Sequence, residues 1–348
     1  MKRRDFIINS ALAIGGAAIL SGCGKKEIKK AEGQVVRRKF ANIDTPLIAL
    51  GCMRLPMRDG KIDMVELDKM VEYAMAHGAN YFDTAYMYVD GKSENAIGEI
   101  LKKYPRESFI LADKCPAYLV NSPSDVRKLC EEQLKKCQVK YFDNYMVHNI
   151  NKNSLSNYRD NNMYDELVKL KKEGIVKHIG FSFHGDPQML REVIKEHKWD
   201  FCQLQINYLD WEVVNADELY QIADEAGVPV IVMEPLRGGV LCNLPQKAKD
   251  KLKQECPNDT QASFGLRWVA GRQRVFTILS GMSNLQQLKE NIDTFVNYKA
   301  ITEKEEKVAH DIAQIIQSGG AISCTACKYC MEVCPRGINI SAIFGFLK

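Results

Sequence analysis

Eight short apolar segments recur along this chain, and each is followed by a helical pattern. This alternation constrains the fold more than any other feature, because eight strand–helix units are the count of a (β/α)8 TIM barrel. We therefore predict an α/β fold of that class. An open doubly wound sheet is the alternative, but no G-x-G-x-x-G motif follows a strand to favour it. The strand cores are expected at Leu47–Met53, Asn80–Asp83, Phe109–Lys114, Phe142–Val147, Val176–Phe181, Phe201–Ile206, Val228–Met233 and Phe276–Leu279.

The barrel is expected to occupy residues 36–300 of the 348-residue chain. Ahead of its first strand, the stretch Arg37–Asp44 predicts a small hairpin at the barrel floor. Residues 301–317 are assigned to one further helix and its hinge, and residues 318–348 to a small C-terminal module. The net charge is only +4 and no long basic stripe is present, so we expect no nucleic-acid partner.

The C-terminal module carries the run CTACKYCMEVCP, with the spacing C-x2-C-x2-C-x3-C-P. This spacing is typical of a ferredoxin-like iron–sulfur module that holds a [4Fe–4S] cluster. Zinc is the alternative metal, although structural zinc sites usually place two close cysteine pairs farther apart. Two points stay open: whether the fourth cysteine or a remote one completes the cluster, and whether the cluster is structural or transfers electrons. The candidate ligands are Cys324, Cys327, Cys330 and Cys334.

The first residues read MKRRDFIINSALAIGGAAILSGC and predict a signal peptide over residues 1–22. Arg3 and Arg4 indicate the twin-arginine route. The tetrapeptide ending in Cys23 resembles a lipobox, so we expect an exported, periplasmic lipoprotein whose only membrane contact is a lipid anchor on Cys23. An uncut signal anchor is the alternative. Residues 23–35 would form a tether between lipid and barrel.

Ionisable side chains follow three neighbouring predicted strands at their carboxyl ends, where barrel enzymes place their chemistry. The second strand ends in YFDTAYMY, which offers Asp83 and Tyr88. The third ends at Lys114 and the fourth at His148. We expect these four side chains to converge on one pocket.

This pattern of D-T-A-x-x-Y, Lys and His resembles the aldo/keto reductase family, over roughly residues 36–298. The resemblance implies an oxidoreductase that interconverts a small carbonyl substrate and its alcohol. Tyr88 would be the general acid and base, and the ammonium of Lys114 would lower its pKa. Asp83 would hold Lys114 in place, and His148 would orient the substrate oxygen.

The resemblance also implies a nicotinamide cofactor across the barrel mouth. Two departures leave NADP and NAD both open: Met233 stands where many members stack an aromatic ring, and Gln287 stands where many bind the 2′-phosphate with arginine. A non-catalytic barrel, whose cluster passes electrons to a redox partner, is the alternative function. The matched cofactor-binding positions are Ser182, Gln205, Met233, Ser280, Gly281, Ser283, Glu290 and Asn291.

Overall fold

The computed structural model describes residues 25–40, 43–319 and 334–346. The predicted signal peptide, the lipid attachment at Cys23 and three candidate cluster ligands, Cys324, Cys327 and Cys330, lie outside these described residues. Cys334 lies within them. No helix among the described residues has the length and hydropathy needed to cross a membrane.

Eight parallel strands close into a barrel in which each strand pairs with its neighbours in the chain, and the last pairs with the first. The predicted (β/α)8 barrel is therefore confirmed, and the open sheet is excluded. The barrel strands are β3 and β6 to β12, and β1–β2 and β4–β5 form two hairpins. The strands are β1 Arg37–Phe40, β2 Ile43–Pro46, β3 Ile48–Gly51, β4 Met57–Arg58, β5 Lys61–Ile62, β6 Tyr81–Asp83, β7 Ile110–Pro116, β8 Phe142–Ile150, β9 Val176–Phe183, β10 Phe201–Gln205, β11 Val230–Met233 and β12 Val275–Ser280.

Helices surround the barrel, and their starts follow from local capping. Asp63 accepts hydrogen bonds from two backbone N–H groups at the start of the first helix, and Thr302 forms a capping box with Glu305 before the last long one. The helices are α1 Met64–Ala76, α2 Tyr88–Gly91, α3 Ser93–Leu101, α4 Pro123–Lys136, α5 Leu155–Asp160, α6 Met163–Lys172, α7 Pro187–Glu196, α8 Tyr208–Val213, α9 Ala216–Glu225, α10 Gln246–Glu255, α11 Gln261–Ala270, α12 Leu285–Val296, α13 Glu303–Ser318 and α14 Ile340–Phe346.

The predicted hairpin closes the floor of the barrel. Ile43 packs into the apolar cluster inside the barrel together with Tyr81 and Phe276. The Thr45 hydroxyl donates to the backbone oxygen of Phe276 at 2.8 Å, which ties β2 to the start of β12. The barrel therefore opens at its other end, where the carboxyl ends of the strands meet.

The helix after the barrel differs slightly from its prediction. It runs one residue farther than expected, so Ser318, which was assigned to the module and its hinge, is helical. Val308, Ile312 and Ile316 are buried on one face of α13, and this packing continues the helix until Gly319. Most of the cysteines in the barrel region are buried and unpaired, and only Cys242 is partly exposed.

Gly98 in α3 tests the packing of the helical layer. A Cβ atom there would lie 2.6 Å from the carbonyl carbon of Cys137 and 2.7 Å from the oxygen of Lys136, which are backbone atoms at the end of α4. We expect Gly98→Ala to lower the free energy of unfolding by about 1–3 kcal/mol, because the helices must separate. Denaturant titration measures it. Gly319→Ala, where the nearest atom is 3.4 Å away, is the matched control and should not destabilise the chain.

Candidate active site

A buried ion pair lies at the centre of the barrel mouth. Lys114 on β7 donates from Nζ to the carboxylate of Asp83, the last residue of β6, and to the backbone oxygen of Thr84 at 2.6 Å. Both charged side chains are inaccessible to solvent. Burial raises the pKa of the Asp83 carboxyl, and Lys114 opposes that rise. The pair is thus two desolvated charges, each of which depends on the other.

Tyr88 is held beside this pair by a strained turn. Val89 and Asp90 follow it with φ values of 54° and 53°, in the left-handed region that β-branched residues rarely adopt. The Tyr88 ring has Lys114 Nζ 4.7 Å from its centroid. It also stands edge-on to the His148 ring, with 6.1 Å between centroids. The structure therefore brings the four predicted residues together at one mouth.

His148 is buried on β8, and its imidazole is held neutral. Burial lowers its pKa well below the usual value, and the nearby charges of Lys114 and His184 act in the same direction. Its Nδ1 atom has no hydrogen-bond partner among the described residues. A neutral imidazole has one N–H donor and one acceptor, so His148 can donate a hydrogen bond to a ligand oxygen without carrying charge.

The pKa of Tyr88 differs from the sequence-based expectation. Burial raises it well above the usual value, and the carboxylates of Asp83 and Glu234 raise it further. The lowering expected from Lys114 does not outweigh these effects, because that ammonium is also hydrogen-bonded to Asp83. Tyr88 is accordingly a protonated phenol at neutral pH and can donate its proton.

A second polar cluster, which the sequence did not reveal, supports Lys114 from outside the barrel. The Gln133 amide on α4 donates to the backbone oxygen of Lys114 at 3.0 Å, to Asp113 at 3.0 Å and to Glu94 at 2.8 Å. The Tyr145 hydroxyl donates to the Gln133 oxygen at 2.6 Å. Burial, followed by the Glu94 charge, raises the pKa of Asp113. These contacts hold the backbone of Lys114 from the side opposite its ammonium group.

A cavity of about 510 Å³ extends from Tyr88 and Asp83 toward the start of α12. Gly281 lies close to the Arg54 side chain, because a Cβ there would be 3.1 Å from Arg54 Cδ. Asn291 Nδ2 donates to Ser280 Oγ at 3.1 Å. The predicted cofactor residues that line this cavity are Met233, Ser280, Gly281, Ser283, Glu290 and Asn291.

Ser182 and Gln205, the other two predicted cofactor residues, do not line the cavity. The Ser182 hydroxyl accepts the backbone N–H of Asn149 at 2.7 Å and so fixes the residue after His148. The Gln205 amide donates to Asp210 at 2.7 Å. In their place, Gln203 lines the cavity two residues earlier on β10. Residues 203 and 205 lie on the same face of the strand, so alternation alone would place both glutamines at the cavity. The contact with Asp210 holds Gln205 away from it.

Strand β11 ends in a charged turn that lines the same cavity. Glu234 and Arg237 have φ values of 54° and 48°, and Gly238 and Gly239 follow, also with positive φ. Glu234 lies 4.0 Å from Arg54, and its other carboxylate oxygen is buried without a partner among the described residues. The cavity therefore has a carboxylate one residue after Met233, the position where the family resemblance implies an aromatic ring.

Two groups outside the mouth have metal-binding side chains. Cys334 accepts the backbone N–H of Ile338 at 3.4 Å on Sγ. Cys256, Asp259 and Glu305 place their ligand atoms within 4.8 Å of one another. In the second group, Arg267 forms ion pairs with both carboxylates and neutralises them. The carboxylates of the second group are therefore committed to Arg267.

The family model described as Aldo/keto reductase family matches residues 47–309. The chain belongs to the aldo/keto reductase family. It is thus an enzyme of the oxidoreductase class.

Individual relatives have low sequence identity to this chain, but the similarity covers most of each protein. Probable aldo-keto reductase 1 from Glycine max is 26% identical over 299 residues, which cover 76% of this chain and 84% of that protein. NADH-specific methylglyoxal reductase from Escherichia coli (strain K12) is 26% identical over 283 residues, which cover 68% and 85%. The holo form of an aldo-keto reductase from Bacillus halodurans is 22% identical with a TM-score of 0.68, over 80% of this chain and 96% of that one. This aldo/keto reductase shares its barrel fold with that structure.

The buried ion pair predicts a pH-dependent loss of stability. Lys114→Met leaves the Asp83 carboxylate buried without its cation, which should cost about 3–5 kcal/mol of unfolding free energy near pH 8. In this variant the pKa of Asp83 is higher in the folded than in the unfolded chain. The loss of stability should therefore shrink toward pH 5, because the buried carboxyl takes up a proton as the pH falls and no longer carries an unpaired charge.

Adding Asp83→Asn to Lys114→Met should recover much of the loss and remove its pH dependence, as measured by denaturant titration at both pH values. Lys128→Met, which removes an exposed lysine from a surface pair, is the control and should change stability by less than about 1 kcal/mol. A Lys114→Met loss that is equal at both pH values would show that Asp83 is not the charge left behind.

Proposed function

We propose that this enzyme transfers a hydride between a nicotinamide cofactor and a small carbonyl or alcohol substrate, with Tyr88 as general acid and base. The single observation that carries the proposal is the meeting of Tyr88, Lys114, Asp83 and His148 at one mouth, beside the cavity of about 510 Å³. That volume is typical of cofactor and ligand sites.

The residues around the cavity fit a nicotinamide dinucleotide. Gly281 gives a close backbone approach beside Arg54, Met233 supplies an apolar surface, and Glu234 and Asp83 each keep one buried, unpartnered carboxylate oxygen facing this region. When bound, the cofactor supplies or accepts the hydride at the substrate carbon. The chain must then bind the substrate oxygen, move one proton and exclude water.

Each of the four residues has a distinct part in that proton transfer. Tyr88 is protonated at neutral pH, so it can donate to the oxygen of a carbonyl as negative charge develops there. The neutral His148 donates a hydrogen bond to the same oxygen and orients it. Lys114 places a positive charge 4.7 Å from the Tyr88 ring and stabilises the phenolate that remains. Asp83 holds Lys114 for this purpose.

The charges of the cavity favour NAD over NADP. Arg54 is the single cationic side chain among the described residues that line it, whereas Glu234 and Glu290 are acidic; the charge of Asp83 is balanced by Lys114. Gln287, which accepts the backbone N–H of Ser283 at 2.8 Å, offers an amide where an arginine would bind a 2′-phosphate bidentately. An extra phosphate would therefore meet more negative charge than positive.

The C-terminal module holds a [4Fe–4S] cluster in this proposal, with Cys324, Cys327, Cys330 and Cys334 as ligands. Support comes from the spacing of the four cysteines and from the backbone N–H donated to Cys334 Sγ, since hydrogen bonds to thiolate sulfur tune such clusters. The cluster would either hold the module together or pass electrons to a redox partner. A hydride carries two electrons and the cluster one, which favours the structural role.

The location is also part of the proposal. The chain would leave the cytoplasm folded by the twin-arginine route and be anchored through a lipid on Cys23 at the periplasmic face. Support comes from the N-terminal sequence and from the need to insert a cluster before export. Because free nicotinamide cofactor is scarce outside the cytoplasm, the cofactor would be bound before export and recycled in place.

Tyr88→Phe tests the chemistry. Removing the phenolic proton should lower kcat for carbonyl reduction by about 10²–10⁴-fold in a folded protein. Tyr86→Phe is the matched control on the same loop; its hydroxyl contacts exposed Glu132, and full activity is expected. Because the pKa of Tyr88 is raised, reduction by the parent enzyme should stay constant from about pH 6 to 9, whereas alcohol oxidation should rise with pH. Retained activity in Tyr88→Phe would refute the assignment.

The cluster and the location are tested together on the full-length protein, purified without oxygen from the membrane fraction of its host. We expect about four irons and four acid-labile sulfides per chain, together with stoichiometric nicotinamide by mass spectrometry. Cys327→Ser should lose the iron, and Cys242→Ser should keep it. Zinc without sulfide would favour the other metal, and recovery only from the soluble cytoplasm would contradict export.

Cys327→Ser also separates the two roles of the cluster. A structural cluster predicts a lower melting temperature with turnover retained in the folded fraction. An electron-transfer cluster predicts a folded protein whose turnover with the natural redox partner is lost.

A further inference from the structure

The segment between the proposed lipid anchor and the floor hairpin is attached to the barrel. We call residues 25–36 the strap. The backbone N–H of Lys26 donates to the oxygen of Lys103 at 2.6 Å. Lys25 Nζ donates to the oxygen of Lys102, also at 2.6 Å. Attachment to the barrel therefore begins at the first residue of the strap.

The rest of the strap packs closely against the helical layer. Gly33 lies against α12, where a Cβ atom would be 2.7 Å from Val296 Cγ1. The Gln34 amide donates to the backbone oxygen of Ala76 at 2.9 Å, and Val35 is buried. These contacts make the strap a fixed part of the barrel body.

All of these contacts lie at the floor of the barrel. Each helix of such a barrel runs antiparallel to its strands, so the helices end at the level where the strands begin. The strap touches the ends of α1, α3 and α12. The mouth is about 20 Å from this level, which is the length of the 13-residue α1.

The link from the strap to the proposed lipid is very short. Gly24 is the single residue between Lys25 and Cys23. Two residues of chain span at most about 7 Å, whatever their conformation. A lipid on Cys23 must therefore enter the membrane beside the end of α3 at the floor, because the link cannot reach the mouth.

The charge of the strap suits an anionic membrane surface. Residues 25–39 have seven basic and two acidic side chains, although the net charge of the whole chain is only +4. Lys26 is paired with Glu72 at 3.0 Å, whereas Lys29 and Lys30 are exposed. A lysine close to anionic headgroups contributes about 1 kcal/mol of attraction. Electrostatics and the short link thus favour the same face.

We propose that the protein lies with the floor of its barrel on the membrane surface and with its mouth directed away from it. The inference rests on the lipid anchor of the proposed function. In this orientation the mouth opens into water at a distance of about 20 Å from the floor. The substrate is therefore a water-soluble carbonyl or alcohol, and not a molecule dissolved in the bilayer.

The experiment uses the full-length lipidated protein in vesicles of phosphatidylethanolamine and phosphatidylglycerol. A fluorescent amino acid replaces either Glu107, which is exposed at the floor between α3 and β7, or Tyr118, which is exposed at the mouth after β7. Lipids that carry a nitroxide on the headgroup quench fluorophores close to the membrane. The floor probe should be quenched about fivefold more than the mouth probe, because about 20 Å separates the two levels.

An insertion variant tests whether the short link causes this orientation. About twenty Gly and Ser residues between Gly24 and Lys25 would add a flexible chain with an end-to-end distance of about 25 Å. Quenching of the floor probe should then fall about threefold, because the floor is no longer held at the membrane. Carbonyl reduction should be unchanged, since the strap stays attached to the barrel.

The outcomes separate this inference from the proposed function. A protein that carries no lipid and does not float with the vesicles would refute the proposed anchor, and the inference with it. A protein that floats, but whose mouth probe is quenched as much as its floor probe or more, would overturn the orientation alone. Floor quenching that is unchanged by the insertion would overturn the short link as its cause.

Discussion

The contact between Lys114 and Asp83 is the interaction on which the mouth of the barrel depends. An ammonium with no exposure to water requires a carboxylate and a carbonyl oxygen within reach, and both come from the end of β6. The loop that carries Tyr88 leaves the barrel directly after Thr84, so the same contact fixes where that loop begins. Gln133 holds the other side of the Lys114 backbone. The geometry of the barrel mouth and the stability of the fold therefore depend on the same pair of charges.

The fold could be predicted from the sequence because a strand–helix alternation repeated eight times admits few solutions. Each predicted strand was found within three residues of its observed bounds, and the floor hairpin was found as well. The end of α13 was the exception. Its start has a capping box that the sequence displays, whereas its end depends on burial of Ile312 and Ile316 against the body, which no local pattern reports.

The site was predictable in its residues but not in its electrostatics. Asp83, Tyr88, Lys114 and His148 follow strand ends, so the sequence places them correctly. The carboxylate of Glu234, which raises the pKa of Tyr88, comes from a segment far away in the chain. The choice between Gln203 and Gln205 likewise depends on Asp210, whose position follows from how α8 packs. The net charge around Tyr88 depends on which distant segments meet in the closed barrel, and the sequence alone does not show that.

The hairpin that fills the floor has a kinetic consequence. Because Ile43 packs into the interior cluster, the barrel is closed at its floor. A ligand must therefore enter and leave through the mouth. Two ligands that bind through this one opening cannot bind in random order if one of them lies beneath the other. Where the proposed cofactor lies beneath the substrate, it must bind first and leave last, so steady-state kinetics with both reactants varied should follow a compulsory order and not a random one.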